Sequence, residues 1–339
     1  MRPHIRPMNA DDPAEIEVAR QIYNAVLTAD VPDFPSLTAR EFQGHVRHPW
    51  PGRENHRWFA ELAEQPVGLL IVSLPMLDNL HSASVDLGAH PDHRRRGVGR
   101  ALYETAVGFV REQGRTTLIG NHVRSIPEGR PRPIAPEAFA EAVGAKSALP
   151  EIRRRLDLNT ADRGRWTSLL EDAREHSQGY SVVAWGDAAP DDLVEQVAGL
   201  DSSIMEEIPL GDLRLEAETV DVARVRAGEE TIRQRGGRTY HVGAVHDATG
   251  ELAAWTYVIF QADMTEHAWQ EITLVHPSHR GHRLGMLVKL ENLRLVMTAE
   301  PALRHIDTWN AAENVHMIAI NEAMGYEIVD GWSNWQSLI

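Results

Sequence analysis

Two short polar segments of the sequence repeat the same residue types at the same spacing. Residues 90–94 read HPDHR and residues 276–280 read HPSHR, and Gly99 or Gly285 follows five residues after the arginine. Arginine side chains and the backbone N–H groups of glycine-containing turns bind phosphate in many proteins. The repeated segments therefore predict two anion-binding turns, with an offset of 186 between residues 90 and 276.

The first turn carries the stronger indication of a phosphate ligand. Residues 94–99 read RRRGVG between an apolar run and a helical pattern, so a strand is expected to lead directly into a helix. The first N–H groups of such a helix have no helical carbonyl to bind, and Gly97 and Gly99 let phosphate oxygens approach them. The spacing fits neither the Gly-Lys-Ser/Thr phosphate loop nor the dinucleotide motif of a parallel βαβ unit. A diphosphate fits the turn, although similar turns also serve as structural helix caps.

The elements around both turns follow one plan. In each half, a hairpin and a further strand precede the turn, and a helix, a strand, a second helix and a last strand follow it. The expected elements are 56–62, 67–74, 85–89, 98–110, 116–119, 137–143 and 148–158, then 240–245, 252–260, 272–275, 284–297, 304–309, 315–324 and 326–335. This plan predicts the α+β class, with two mostly antiparallel sheets flanked by helices. A repeat period this long indicates duplication of a whole domain.

The domain organisation follows from the length of the chain and the position of the repeat. The 339 residues suffice for two domains of typical size. Residues 161–176 are charged and amphipathic, and Gly179 follows them. We therefore expect an N-terminal domain over 1–160, a linker helix within 161–178 and a C-terminal domain over 179–339.

The composition excludes several classes of function. The chain has no cysteine, which rules out disulfides, thiolate metal sites and thiol nucleophiles. A net charge of −15 disfavours a nucleic-acid partner, because such binding depends on neutralising phosphates with Lys and Arg. No apolar run is long enough to span a bilayer, so we expect no membrane partner and a cytoplasmic location.

The first turn resembles the Arg/Gln-x-x-Gly-x-Gly/Ala signature of the GNAT N-acetyltransferase superfamily. Arg94, Gly97 and Gly99 match this signature in full. In the second turn Arg280 and Gly285 match it, whereas Arg283 stands where the first glycine belongs. The substitution by Arg283 puts cofactor binding in the second half in doubt.

A helix in the second half is similar to another GNAT motif, Asn-x-x-Ala-x-x-x-Tyr-x-x-x-Gly-Phe. Its positions are taken by Asn314, Met317, Asn321, Gly325 and Tyr326, so that Asn321 replaces the tyrosine that serves many members as general acid. The equivalent helix of the first half also lacks this tyrosine. The resemblance covers nearly the whole chain and indicates a tandem member, similar in layout to mycothiol synthase-like proteins.

The resemblance implies acyl transfer from acetyl-CoA to an amine, by direct attack on the thioester between two splayed strands. The acceptor is expected to be a small molecule, and the oligomeric state is left open. The implied acetyl-CoA-binding residues are Leu87, Gly88, Ala89, Arg94, Arg95, Arg96, Gly97, Val98, Gly99, Arg100, Leu274, Val275, Arg280, Gly281, Gly285 and Asn314. Gly88 is the expected position of a bulge that opens the splay. Two alternatives are a non-catalytic acyl-CoA-binding protein and an aminoacyl transferase.

The catalytic candidates lie just before the second turn. Glu271 precedes Arg280 by nine residues, a spacing that resembles the general base of many family members, although a solvated face of the strand would also accommodate it. His276 is a candidate proton relay. Asp86 precedes its arginine by only eight residues, so strand alternation predicts that Asp86 points to the other face and has a structural role.

The histidines at 276, 279 and 282 recur every third residue. They cross a strand end, a proline turn and a helix start, so their spacing does not place three imidazoles on one helical face. No metal is therefore expected.

We predict that Glu271→Gln lowers the rate of acyl transfer at neutral pH more than it weakens acetyl-CoA binding, because the substitution removes a base and leaves the phosphate turn intact. Steady-state kinetics across pH and calorimetric titration with acetyl-CoA measure the two effects. An unchanged pH–rate profile would remove Glu271 from the candidates.

Overall fold

The elements expected from the duplicated pattern are present in a computed structural model of the chain, which describes residues 2–204 and 209–339. In chain order the strands are β1 (His4–Pro7), β2 (Arg53–Leu62), β3 (Gln65–Pro75), β4 (Ser82–Ala89), β5 (Thr117–Arg124), β6 (Lys146–Asp157), β7 (Tyr180–Trp185), β8 (Arg238–His246), β9 (Leu252–Phe260), β10 (His267–Val275), β11 (His305–Ala311) and β12 (Glu327–Leu338). The predicted α+β class, with mostly antiparallel sheets flanked by helices, is confirmed.

Helices cover the sheets at positions that the sequence pattern predicted only in part. They are α1 (Pro13–Asp30), α2 (Ala39–Arg47), α3 (Val98–Glu112), α4 (Ala135–Ala142), α5 (Arg163–His176), α6 (Val194–Ser202), α7 (Val222–Gln234), α8 (Leu284–Ala299) and α9 (Val315–Met324). The sequence analysis assigned none of α1, α2, α6 and α7. In the described part of the chain, no helix is both long and apolar enough to cross a membrane.

The chain divides into two units that are not consecutive stretches of sequence. Unit 1 combines Met1–Ile152, Leu210–Glu216 and Asp330–Ile339, and unit 2 combines Arg153–Pro209 and Ala217–Val329. Most of β12 therefore belongs to unit 1, whereas α5, the expected linker, belongs to unit 2. The boundaries expected from the sequence stay a prediction.

In unit 1 the strand order is β1-β2-β3-β4-β5-β12-β6, and β4 and β5 run parallel. Helix α3 packs on this sheet through the apolar stripe that the sequence predicted. Val98, Leu102, Ala106 and Val110, spaced by four residues, are all buried in the core of the unit. On the other face, α1 and α2 bury a separate cluster around Phe42 and Phe59.

In unit 2 the strand order is β6-β11-β10-β9-β8-β7, and β10 and β11 run parallel. Strand β6 appears in both orders because residues up to Ile152 belong to unit 1 and residues from Arg153 belong to unit 2. Helix α8 is buried over most of its length, because α5 covers the side that faces away from the sheet. Trp166 of α5 lies in this core, and its indole Nε1 donates a hydrogen bond to the carbonyl oxygen of Met324 at 2.7 Å.

A buried charge cluster ties β6 to β11 within unit 2. The Asp307 carboxylate, fully buried, accepts hydrogen bonds from Arg155 at 2.6 and 2.8 Å and from Arg153 at 3.2 Å. Burial by itself raises the pKa of Asp307, but hydrogen bonds from Arg155 and His267 outweigh it and leave the pKa below its usual value. The carboxylate is therefore held in its charged form.

We predict that Asp307→Asn lowers the free energy of unfolding of unit 2 by about 3–5 kcal/mol, because it leaves buried arginines without their counter-charge. Urea unfolding followed by tryptophan fluorescence measures this change. The folded pKa of Asp307 is depressed, so its contribution is present above the unfolded pKa of about 3.9 and is lost as the pH falls below that value. The control is Glu230→Gln, which breaks an exposed, solvent-screened pair with Arg233 and should change the free energy of unfolding far less. Equal costs for the two variants would contradict this account.

Candidate active site

The central feature of unit 1 is a pair of parallel strands that separate. Strands β4 and β5 pair at Ser82↔Thr117, Ala83↔Leu118 and Ser84↔Ile119, and then each continues for five more residues without pairing to the other. Over this length β4 stays paired with β3, and β5 stays paired with β12. Residues 85–89 of β4 thus form a splayed edge, whose backbone polar groups face an opening.

Gly88 lies on the splayed edge but does not form a bulge. The register of β3 and β4 is continuous from Gly68↔Ala89 to Ser73↔Ser84, so the predicted bulge is wrong. A Cβ atom at residue 88 would lie 2.9 Å from Cγ2 of Val26 and 3.4 Å from its Cβ. Glycine is needed here because α1 approaches the strand closely.

The phosphate turn leads directly from β4 into α3. Arg95 and Gly97 have positive φ angles of 64° and 83°, and α3 begins at Val98. Among the residues that the structure describes, no side chain caps the first turn of α3, so its N–H groups point toward the opening. The guanidinium of Arg94 donates to both carboxylate oxygens of Asp30, at 2.7 and 2.8 Å, and ties the turn to the end of α1.

A cavity of about 410 Å³ lies between this turn and α4. Nine of the ten residues expected to bind acetyl-CoA in the first half line it, and the tenth, Arg96, is exposed in the same turn. Most of the wall is apolar. The lining residues are Val26, Asp30, Leu87, Gly88, Ala89, Arg94, Arg95, Gly97, Val98, Gly99, Arg100, Ala135, Pro136, Ala138, Phe139 and Ala142.

A second cavity of about 170 Å³ adjoins the first and shares Val26, Asp30, Leu87, Gly88 and Pro136 with it. Aliphatic side chains of α1 and β3 form one wall. The polar groups come from four different elements and are Tyr23, Asp86, Asn121, His122 and Trp332. The two cavities therefore meet at the splayed edge.

Asp86 is exposed to solvent where it faces this second cavity, but the protein around the cavity removes much of the bulk water from its carboxylate. That desolvation raises the pKa of Asp86 to about 6. The charge of Asp86, followed by burial, raises the pKa of the Tyr23 phenol well above its usual range, so Tyr23 stays protonated and can donate a hydrogen bond. Burial is also the main reason that the pKa of His122 is lowered.

Strand β10 of unit 2 contains a bulge that the sequence did not reveal. Gln270 pairs with Val258 of β9, but Thr273 pairs with Thr256, so β10 has one extra residue between them. Glu271 lies in this bulge. Glu271 is exposed to solvent, but the protein packed around it partly desolvates its carboxylate and raises its pKa. Burial together with the charge of Glu271 raises the pKa of Tyr257 on the neighbouring strand.

The extra residue in β10 changes how its positions align with those of β4 in unit 1. Ser84 and Trp269 are the last residues of β4 and β10 to pair with their parallel neighbours, β5 and β11. Asp86 and Glu271 each lie two residues beyond that point. Counting back from the arginines makes the buried Val85 the counterpart of Glu271, and this assignment is wrong. The one-residue bulge reverses the alternation of β10, so Asp86 is the counterpart and the expected structural role of Asp86 does not follow.

The turn of unit 2 keeps the backbone of its counterpart but uses its side chains differently. Gly281 and Arg283 have positive φ angles of 89° and 53°, as Arg95 and Gly97 do in unit 1. The guanidinium of Arg283 pairs with Asp172 of α5 at 2.7 Å. Arginine at this position thus directs its side chain to α5 while the backbone turn is retained.

Most of the other unit 2 residues expected to bind acetyl-CoA pack in the core or stabilise a helix. Leu274 and Val275 pack in the core, and a Cβ atom on Gly285 would lie 3.2 Å from Ile320. Arg280 and Gly281 are exposed, and the side chain of Asn314 caps α9. Asn321, which replaces the family's tyrosine, is buried and donates to Asn310 at 2.7 Å.

His276 belongs to a polar cluster at the turn of unit 2. Its Nδ1 lies 2.7 Å from the hydroxyl of Ser278 and 3.9 Å from a carboxylate oxygen of Glu251. The Nε2 of His279 lies 3.1 Å from the other oxygen of Glu251. The hairpin between β8 and β9 brings Glu251 to this turn.

Sequence reasoning missed the residues of unit 1 that come from α1, β5 and β12. For α1 a signal was available, because Asp12 and Pro13 form a typical helix start and the buried Ile16, Ala19 and Ile22 recur every three residues. For His122 and Trp332 there was none, since only strand pairing places them beside Asp86.

A protein-family comparison matches the part of unit 1 that contains the candidate site. Residues 19–125, which contain the splayed edge and the phosphate turn of unit 1, match the Acetyltransferase (GNAT) family. A search of curated proteins found no match.

Solved structures resemble the chain over its whole length. A tandem GNAT protein from the clavulanic acid biosynthesis pathway is 34% identical, with 99% of this chain and 98% of that one covered and a TM-score of 0.85. A GCN5-related N-acetyltransferase from Sphaerobacter thermophilus shares the fold at 14% identity, with 99% and 96% covered and a TM-score of 0.69.

We predict that Gly88→Ala lowers the free energy of unfolding of unit 1 by about 1–3 kcal/mol, because the new methyl group forces α1 away from β4. Rotation of Val26 does not readily relieve the contact, since both of its methyl groups lie close to the added Cβ, at 2.9 and 3.2 Å, and its side chain is stiff. Gly108→Ala is the matched control, because a Cβ there meets nothing within 4 Å and should stabilise α3 by about 0.5–1 kcal/mol. Urea unfolding compares the two, and equal stabilities would contradict the close approach.

Proposed function

The chain belongs to the GNAT acetyltransferase family, and we propose that its unit 1 transfers an acetyl group from acetyl-CoA to the amine of a small molecule in the cytoplasm. One observation carries this proposal. Two cavities meet at the splayed edge of β4, one beside an uncapped helix start and the other beside a carboxylate of raised pKa.

The larger cavity fits the chemistry of acetyl-CoA. The free N–H groups at the start of α3 and the charges of Arg95, Arg96 and Arg100 suit a diphosphate. The backbone groups of residues 85–89 can form strand-like hydrogen bonds with the two amides of a pantetheine arm. A backbone N–H at the same edge would polarise the thioester carbonyl.

The smaller cavity suits the acceptor. Its volume of about 170 Å³ holds a small group rather than a folded protein segment, which supports a small-molecule amine. Asp86 provides a counter-charge for the ammonium form, and the aliphatic wall can contact the carbon skeleton. The neutral hydroxyl of Tyr23 is available to orient the nitrogen.

The reaction combines one acyl transfer with two proton transfers. Asp86 accepts a proton from the ammonium group, and the neutral amine then attacks the thioester carbonyl. A C–N bond forms, the C–S bond breaks, and the CoA sulfur leaves as a thiolate that takes up the second proton, which the attacking nitrogen loses as it becomes an amide. The pKa of Asp86, raised to about 6, places this base close to neutral pH, where a general base works best.

We predict that Asp86→Asn lowers kcat/KM by about 10²- to 10⁴-fold at pH 7.5, because the amine then has no base. In the unsubstituted protein kcat/KM should rise with pH through about 6, as Asp86 loses its proton, and Asp86→Asn should remove this limb. CoA release with a panel of amines measures the rate, and calorimetry measures acetyl-CoA binding, which should be unchanged.

The exposed Asp92 of the same unit provides the control, and Asp92→Asn should retain full activity. The proposal gives Asp86 the role that the sequence analysis expected of Glu271, and the Glu271→Gln variant decides between them. Loss of activity in Glu271→Gln but not in Asp86→Asn would move the chemistry to unit 2. Tight acetyl-CoA binding without turnover on any amine would favour a non-catalytic acyl-CoA-binding protein and overturn the proposed activity.

A further inference from the structure

The cluster at the turn of unit 2 combines side chains that ligate transition metals. One ligand atom from each of Glu251, His276 and His279 lies within 4.8 Å of the other two. The residues come from two places in the chain, the hairpin between β8 and β9 and the turn that follows β10. We propose that these three side chains bind a zinc ion.

The donor set matches the preferences of zinc. Two imidazole nitrogens and one carboxylate oxygen form a common zinc-binding set, and a water molecule completes the tetrahedron. Zinc–ligand bonds of this kind place neighbouring ligand atoms about 3.3 Å apart. The Nε2 of His279 is 3.1 Å from Oε2 of Glu251, and Nδ1 of His276 is 3.9 Å from Oε1. Small side-chain rotations therefore suffice to complete the site.

The surroundings already orient the most buried ligand. Nδ1 of His279 lies 2.9 Å from the hydroxyl of Tyr180, and the His279 side chain is only 11% exposed. A ligating histidine needs its second ring nitrogen to donate to such a partner, which fixes the tautomer and the plane of the ring. The hydroxyl of Tyr180 can accept this bond and leave Nε2 free for the metal.

The duplication supplies a matched comparison inside the same chain. The rings of His276 and His279 are 5.8 Å apart between centroids, and those of His90 and His93 in unit 1 are 5.7 Å apart. The histidine pair is thus common to both turns. Gln65 stands 186 residues before Glu251, so unit 1 has a neutral amide where unit 2 has the carboxylate.

Bound zinc would join the β8–β9 hairpin to the turn before α8. In the structure this junction includes the His279–Glu251 hydrogen bond, with the Glu251 side chain 44% exposed. Zinc binding here is independent of acyl transfer in unit 1.

The test is titration of chelator-treated protein with Co²⁺ and Zn²⁺. Co²⁺ should give the intense visible absorption of a tetrahedral site, saturate at one equivalent and be displaced by Zn²⁺. Competition with a chromophoric chelator gives the zinc Kd. Glu251→Gln and His279→Ala should each weaken binding by about 100-fold or more, and Tyr180→Phe by about tenfold.

His93→Ala in unit 1 is the matched control and should leave the zinc Kd unchanged. Glu251→Gln is nearly isosteric at an exposed position, so its effect on binding can be read in a folded protein, as circular dichroism would verify. Absence of tetrahedral Co²⁺ absorption would overturn the zinc site. Equal zinc affinity in Glu251→Gln, or equal weakening by His93→Ala, would overturn it as well.

Discussion

The candidate active site of unit 1 exists because the parallel pairing of β4 with β5 ends after three residue pairs. Strand β4 is paired with β3 and β5 with β12, and the two strands pair with each other at only three positions. Beyond Ser84 and Ile119 each strand follows its other neighbour, so a gap opens between them. The backbone N–H and C=O groups along this gap lack the partners that a neighbouring strand would provide. Leaving such groups without a hydrogen bond lowers the stability of the fold unless water or a polar ligand binds them.

Other features of unit 1 follow from this gap. Arg94 holds the end of β4 to the end of α1 through Asp30, which keeps the phosphate turn beside the opening. Gly88 lets Val26 approach the splayed edge, so one helix lines both cavities. Asp86 lies in the gap itself, where desolvation raises its pKa toward neutrality.

The two duplicated turns have the same backbone conformation but different side-chain contacts. Both have two residues with positive φ, and each turn has one glycine and one arginine at these positions, in opposite order. In unit 1 glycine stands directly before α3, and the helix start opens onto a cavity. In unit 2 arginine stands before α8 and pairs with α5, while nearby histidines face Glu251. The two turns therefore share a backbone conformation, whereas the side chains around them make different contacts.

The sequence alone determined the features that depend on local pattern. The repeat at residues 90 and 276 identified the duplication, the spacing of Arg94, Gly97 and Gly99 identified the turn that leads into α3, and the stripe from Val98 to Val110 identified α3 and its buried face. These signals are local because helix periodicity and turn chemistry are set by residues within a few positions of each other.

Only the tertiary structure decided the features that depend on strand register and on distant partners. A single extra residue in β10 makes Glu271 the counterpart of Asp86, and counting from the arginines gave the wrong face because side chains alternate at every residue of a strand. His122 and Trp332 reach the smaller cavity of unit 1 through strand pairing, and a hairpin brings Glu251 to His279. Such contacts join residues that are far apart in the chain. They form only because the whole folded unit is stable, and a local sequence pattern contains no information about that stability.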